Sequence, residues 1–296
     1  MYNLYISKTT MLPVATTILG LGWTGFGIRN LKNTFNDVFN EILFTRYTSI
    51  NLSKNRTKNI YESPDLKTMY IYSINEEYKH TVVYLHGSGG SIHDREFICQ
   101  MLDEFKVNYI VMEYPIGMSN ILSKTNISKI NVALDEILLY HNLKHDILWG
   151  TSLGGNIATW IFNHNPNYNK LIHCISFFDL STSDKPLVSS VAKIHSLTLP
   201  SSITKEKFNP KDTRPKLIIS SKTDEYFHSQ LNIHNIKETD SIKILYVSGS
   251  HANIQLQDIS KELCEWGDFV NPSEGMWLYI DSIRKIVYDH LSDLYE

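Results

Sequence analysis

Ser152, Asp224 and His251 are the residues of this chain whose types and surroundings fit nucleophilic chemistry. In Ile147-Leu148-Trp149-Gly150-Thr151-Ser152-Leu153-Gly154-Gly155 an apolar run ends at a glycine, and a lone serine stands between small residues. An apolar-periodic segment follows, so the stretch reads as strand, sharp turn and helix with Ser152 at the tip. Side chains two positions either side of such a turn would collide with strand and helix, which explains Gly150 and Gly154. The helix that follows aims its first N–H groups and positive dipole end at charge developing near the serine. A serine hydroxyl is a weak nucleophile and needs a base, and the base needs a group to hold its tautomer. His251, in Ser248-Gly249-Ser250-His251, and Asp224, in Ser221-Lys222-Thr223-Asp224-Glu225, can supply these.

A plain turn between strand and helix would use Gly150, Ser152 and Gly154 equally well. The elements around them argue otherwise. Thr81–Leu85, Val107–Tyr114, Asp146–Trp149, Leu171–Phe178, Lys216–Ser220 and Ile242–Val247 are short apolar or β-branched runs typical of buried strands, with Met69–Ile74 before them. Helical periodicity fills the intervals over Ile92–Phe105 (Ser91 as N-cap), Asn126–Tyr140, Asn156–Phe162 and His228–Ile236, and closes the chain over Met276–Leu294. Alternation of this kind predicts an α/β fold: a doubly wound, mostly parallel sheet with helices on both faces. Function in such a sheet gathers at the C-terminal strand ends. Ser152, Asp224 and His251 each follow a strand, and so does the glycine-rich turn His86-Gly87-Ser88-Gly89-Gly90. Asp179, after Leu171–Phe178, is the rival for the acidic role. His86 reads as a structural histidine of its turn, Glu225 as solvent-facing, and His93 and Arg95 as pairing on a helix surface.

The chain has 296 residues, is 42% hydrophobic and 20% charged, and has a net charge of −3 with pI near 6.5. That balance gives no electrostatic ground for a nucleic-acid partner. Cys99, Cys174 and Cys264 are too scattered for a disulfide framework or a zinc site, and the histidines show no metal spacing. Neither a metal nor a cofactor is expected.

From about Lys67 to Gln257 the chain resembles the α/β-hydrolase superfamily, and within it the small-cap alpha/beta-hydrolase domain-containing serine hydrolases. The residues that carry the resemblance come in order. His86–Gly90 matches an HGNGG-like turn with Ser88 where Asn is usual, and His93-Asp94-Arg95 echoes the H-R after it. Tyr114–Ser119 matches Y-R-G-x-G-x-S without the Arg-Gly pair. Gly150–Gly155 matches G-x-S-x-G-G, Asp224–Phe227 the acid segment, and Gly249–His251 G-x-H. The resemblance implies Ser152 as nucleophile, His251 as base and Asp224 as acid. It makes the backbone N–H groups of Ser88 and Leu153 the oxyanion hole. It further implies a serine hydrolase acting on an ester or thioester, with a peptidase or a non-catalytic scaffold of the same fold as alternatives. Residues of about 180–214 form a short lid insert, whose Leu187, Val188, Val191, Ile194, Leu197, Leu199 and Ile203 could cover an acyl chain, favouring a lipid or fatty-acyl ester.

The domain so defined spans residues 67–296, preceded by an N-terminal extension at 29–66 and by residues 1–28 as membrane anchor or leader. Thr9–Ile28 carries no charge, between Lys8 and Arg29, and is long enough to span a bilayer. Pro13, Gly20, Gly22, Gly25 and Gly27 dilute it, so a helix packed on the domain and a flexible leader compete with the anchor. Localisation is accordingly membrane-associated or cytoplasmic. Deleting residues 1–28 is expected to release the protein to the soluble fraction with unchanged turnover of a soluble ester. A full-length protein that stays wholly soluble through carbonate fractionation excludes the anchor, and aggregation of the deleted form points to the packed helix.

Overall fold

The computed structural model describes residues 52–88, 91–115, 121–185, 189–190, 192–193, 203, 205–227, 236–251 and 253–293. Eight strands form one sheet: β1 (Lys58–Ser63), β2 (Leu66–Ser73), β3 (Thr81–Leu85), β4 (Asn108–Met112), β5 (Ile147–Thr151), β6 (Lys170–Cys174), β7 (Lys216–Ser221) and β8 (Ile242–Val247). Their order across the sheet is β1-β2-β4-β3-β5-β6-β7-β8. β2 is antiparallel to both β1 and β4, while β3 to β8 pair in parallel. The helices are α1 (Glu96–Glu104), α2 (Lys124–Tyr140), α3 (Leu153–His164), α4 (Ser260–Gly267) and α5 (Glu274–Asp293).

Period-2 alternation sorts the strand side chains onto two faces, and both faces are covered. Val83, Leu85, Ile110, Met112 and Leu148 pack with α2 and α3 through Ile127, Ile130, Leu134, Ile157 and Ile161. Val82, Tyr84, Tyr109, Val111 and Trp149 pack on the opposite face with α1, α4 and α5 through Phe97, Met101, Leu263 and Trp277. Apolar residues at every strand position, rather than every second one, are what a sheet buried on both sides requires. The chain crosses to one side of β3 through α1 to reach β4, then to the other side through α2 to reach β5. The switch point of the sheet therefore lies at the ends of β3 and β5.

The structure revises several expectations. The helix expected over Ile92–Phe105 is split: Ile92–Asp94 is a 3₁₀ turn, and α1 begins at Glu96. Ser91 Oγ accepts from His93 N at 3.1 Å, and Asp94 Oδ2 accepts from Ser91 N at 2.9 Å. This reciprocal cap closes a tight turn, and the change from three to 3.6 residues per turn shifts the helix phase. Arg95, expected on a helix surface, is consequently buried, and Asp94 beside it is buried too. His93, by contrast, is part-buried with Nδ1 3.2 Å from Lys58 Nζ. α3 and α5 begin earlier than the periodicity suggested, and α4 went unnoticed, its eight residues being too few for a clear stripe. The helix expected around His228–Ile236 lies outside the described residues except for Ile236, and so does the whole of Thr9–Ile28. Among the described residues no helix is long and apolar enough to cross a membrane.

The domain also begins before residue 67. β1 lies in what was expected to be an extension and supplies the sheet's first strand, pairing Lys58 with Ile71 through Ser63 with Leu66. Its polar alternation hid it, because an edge strand has one solvated side. Just upstream, the Arg56 guanidinium forks onto Glu96, with Nε 3.1 Å from both carboxylate oxygens, and reaches Asp103 and Tyr109 of the neighbouring elements. A chain starting at residue 67 is therefore expected to aggregate, whereas one starting at residue 29 should elute as a folded species by size-exclusion chromatography. Equal behaviour of the two would remove β1 and Arg56 from the folding unit.

Candidate active site

Ser152 is the first residue beyond β5 and the N-cap of α3, at φ 54° and ψ −121°. A non-glycine residue in that region costs on the order of 1–3 kcal/mol and persists only where neighbours impose it. They do so through close backbone approach. A Cβ on Gly150 would lie 2.1 Å from Gly154 O, and one on Gly154 would lie 2.1 Å from Leu85 O, so neither position admits a side chain. Ser152 N donates to Cys174 O at 3.0 Å, and Ser176 Oγ donates to Ser152 O. A serine at an N-cap ordinarily spends its hydroxyl on the helix backbone. Here the hydroxyl makes no capping bond and lies 2.9 Å from His251 Nε2.

His251 is presented by the turn after β8. Gly249, at φ 101°, permits a reversal in which a Cβ would meet Asn253 O at 1.8 Å. The turn is tied to the end of β7, where Gly249 O accepts from Thr223 Oγ1 at 2.7 Å and from Ser221 Oγ. On the far side of the ring, Nδ1 lies 2.8 Å from Asp224 Oδ2. With Nδ1–H donating to the carboxylate, the Nε2 lone pair is left to accept from Ser152 Oγ–H. Asp224 is buried, and its other oxygen accepts from Tyr226 N and Phe227 N, each at 2.8 Å. Glu225, expected in solvent, instead turns back so that Oε2 accepts from His251 N at 2.8 Å. The acid loop thus grips the histidine by ring and by backbone.

Asp179 is not part of this line. It caps a 3₁₀ turn at Leu180–Thr182, accepting from Ser181 N at 2.9 Å, and pairs with Lys205 Nζ at 3.2 Å. His173 sits under the elbow with Nδ1 3.1 Å from Gly155 O and its ring stacked 4.2 Å from Phe178. Burial lowers its pKa to about 3, against the smaller opposing effect of the Gly155 bond, so it is a neutral packing piece. Among the described residues no group of three or more His, Cys, Asp or Glu gathers where a metal could be held.

The turn after β3 faces the elbow. A Cβ on Gly87 would stand 3.1 Å from Ser152 Cβ and 3.6 Å from its Oγ, so Gly87, the residue before Ser88, borders the nucleophile. Leu153 is the first residue of α3, where a backbone N–H has no partner within the helix. Gly89 and Gly90 lie outside the described residues. His86 is buried in the structural role expected of it, with Nδ1 2.6 Å from Gly87 O and Nε2 3.0 Å from Glu113 Oε1. Glu113 is a residue the sequence did not single out, although it directly follows β4 and so stands at the same sheet end. Burial works against its ionisation, but His86 and the N–H donors of Ile92 and Tyr114 outweigh it and hold the carboxyl at about 2.

The insert after β6 is described in part, and Leu187, Val188, Val191, Ile194, Leu197 and Leu199 lie outside the described residues. Ile203 is buried in the core, its N–H donating to Leu122 O at 2.8 Å. On the other stem, Ser183 Oγ and Asp184 N donate to Tyr226 O at 3.0 and 2.9 Å. The Tyr226 ring lies 5.0 Å from the His251 ring. One residue therefore joins insert, acid and histidine, a connection that no sequence motif announced.

Residues 48–136 match a family model described as an alpha/beta hydrolase of unknown function (DUF1057), a span that includes the His86 turn and ends before Ser152. Among solved structures, an esterase of Pyrococcus furiosus superposes with a TM-score of 0.54 at 12% identity, over 75% of this chain and 92% of its own. The chain has the α/β-hydrolase fold. The 2-hydroxy-6-oxo-6-phenylhexa-2,4-dienoate hydrolase of Rhodococcus sp. strain RHA1 gives a TM-score of 0.53 at 12% identity, over 71% of this chain and 98% of its own. A Bacillus subtilis carboxylesterase gives 0.50 at 12% identity, over 79% and 97%. A search of the curated proteins finds no match. At these identities the likeness carries the α/β-hydrolase fold and no substrate.

If the site works as a triad, its acid is expected to be Asp224 and not Asp179. Asp224→Asn should lower turnover of an activated ester by about 10⁴-fold through the wrong histidine tautomer, with KM little changed. Asp179→Asn should cost less than about tenfold. Steady-state kinetics of the two variants checks this, and a reversed order would transfer the acid to Asp179.

Proposed function

We propose that the protein is a serine hydrolase that cleaves a carboxylic ester or thioester through Ser152, His251 and Asp224. The observation that carries the reading is the continuous hydrogen-bonded line from Ser152 Oγ to His251 Nε2 at 2.9 Å and from His251 Nδ1 to Asp224 Oδ2 at 2.8 Å. A buried carboxylate, a part-buried imidazole and a hydroxyl withheld from capping serve no packing purpose in that order.

In the proposed reaction His251 Nε2 takes the Ser152 proton as Oγ attacks the substrate carbonyl. Asp224 stabilises the imidazolium that forms. The backbone N–H groups of Leu153 and Ser88 receive the oxyanion, each such donor being worth on the order of 3 kcal/mol. The imidazolium then protonates the leaving alcohol or thiol, and the acyl group stays on Ser152. Water, deprotonated by the same ring, attacks the acyl-enzyme and returns the free serine. No cofactor enters these steps.

An apolar acyl chain is the favoured substrate part. Phe177 and Phe227 pack as a tilted pair with centroids 4.9 Å apart, and Phe227 lies 5.6 Å from the His251 ring, an apolar wall beside the reacting groups. The apolar composition of the insert supports the same choice. Membrane association through residues 9–28 would bring the site to lipid esters and belongs to this proposal.

A fluorophosphonate probe, followed by p-nitrophenyl esters of increasing chain length, tests the reading. The wild type should label, and Ser152→Ala should lose labelling and at least about 10⁴-fold in kcat while keeping its melting temperature. Labelling that persists in Ser152→Ala moves the nucleophile elsewhere. A wild type that never labels leaves a non-catalytic scaffold.

A further inference from the structure

The oxyanion donor assigned to Ser88 belongs to a turn with four successive small residues, Gly87-Ser88-Gly89-Gly90. Glycine has no Cβ to narrow its backbone choices, and fixing any residue costs about 1–2 kcal/mol. An oxyanion donor is effective only when aimed in advance, with its nitrogen about 2.7–3.1 Å from the developing charge. Some other group has to restrain the turn from outside.

Glu113 is placed to do so. The parallel register sets Met112 opposite Leu85, so the residue that follows each strand, Glu113 and His86, emerges side by side. The Glu113 backbone is itself pinned to β2: its N–H donates to Met69 O at 2.9 Å, and its carbonyl accepts from Thr68 Oγ1 at 2.5 Å. From that fixed base the carboxylate reaches both ends of the turn. Oε1 takes His86 Nε2 at 3.0 Å on the entry side, and Oε2 takes Ile92 N at 2.9 Å on the exit side. Oε1 also accepts from Tyr114 N at 2.9 Å, which fixes the carboxylate's own rotamer. The entry side is held twice more, since His86 Nδ1 bonds Gly87 O and Tyr114 Oη donates to His86 O at 2.7 Å. On the exit side Ile92 is fully buried and opens the capped 3₁₀ turn.

We propose that Glu113 is a positioning residue of the reaction: its carboxylate clamps the two ends of the His86–Ile92 turn and so aims the Ser88 N–H at the oxyanion. The proposal rests on the serine-hydrolase reading above. Glu113 touches no reacting atom, and its effect passes through His86 and Ile92. Loss of the clamp must therefore appear where charge develops, in kcat and in binding of tetrahedral mimics, and not in ground-state binding.

Three variants test it: Glu113→Gln, which replaces one acceptor oxygen by a donor facing an N–H; Glu113→Ala; and Tyr114→Phe, which keeps the ring and removes the hydroxyl that donates to His86 O. On a p-nitrophenyl ester, Glu113→Gln should lose about 10- to 100-fold in kcat with KM within about twofold, since the donor is misaimed and not deleted. Its affinity for a trifluoromethyl ketone, which forms a tetrahedral adduct on the serine, should fall by the same factor, while inhibition by the product acid stays constant. Tyr114→Phe should show the same split at about 2- to 10-fold. Should Glu113→Ala fail to fold, the other two variants decide alone. Wild-type kcat and ketone affinity in both folded variants overturn the clamp, and so do losses shared equally by KM and product inhibition. A wild type that neither labels with the phosphonate nor turns over overturns the serine-hydrolase reading itself, and the clamp with it. Those results are distinguishable from one another.

Discussion

The strained backbone at Ser152 is the constraint on which the rest of this structure depends. At φ 54° and ψ −121° the residue stands on the rim of the sheet with its hydroxyl clear of the helix it begins. The conformation exists because β5, α3 and β3 come closer than side chains allow, with Gly150 against Gly154 and Gly154 against Leu85. Hydrogen bonds at Ser152 N and Ser152 O then lock it from the β6 side, through Cys174 O and the Ser176 hydroxyl. The cost of the strain is spread over the buried faces of the sheet. Those faces are rigid because both are covered by helices, and interiors packed to that density yield little.

Around that fixed serine the other groups are held by loops, and each loop is tied to a neighbour more than to itself. The His251 turn is fastened to the end of β7 through Gly249 O, and the Asp224 loop returns a side-chain bond to the His251 backbone. Tyr226 extends the line to the insert, accepting from Ser183 and Asp184 while its N–H holds Asp224. A carboxylate with both oxygens occupied cannot rotate, and that immobility keeps the imidazole in one tautomer. On the opposite side Glu113 does for the glycine-rich turn what Asp224 does for the histidine. Two carboxylates, Asp224 buried and Glu113 part-buried, thus hold two neighbouring elements in place, the His251 ring and the glycine-rich turn.

Much of this was determined by local sequence. Runs such as Thr81–Leu85 and Ile147–Trp149 are apolar at every position, and only a sheet buried on both faces accommodates that pattern. The order Ser152, Asp224, His251, each after such a run, names the residues that the structure brings within hydrogen-bond reach. Gly150 and Gly154 were readable because the physical demand on them is steric and local to the turn. Tertiary structure alone decided the rest, for reasons that local pattern cannot encode. β1 is an edge strand with one wet side, so its composition looks like a loop until its pairing with β2 is known. Arg95 turned inward because a reciprocal cap between Ser91 and Asp94 changed the helix phase by a fraction of a turn. Chain order favoured Asp224 over Asp179, but only the folded chain shows Asp179 turned to Lys205 while Asp224 lies 2.8 Å from His251 Nδ1. Glu113 acquires its partners only when β3 and β4 lie side by side in register, bringing together residues 27 positions apart in the chain.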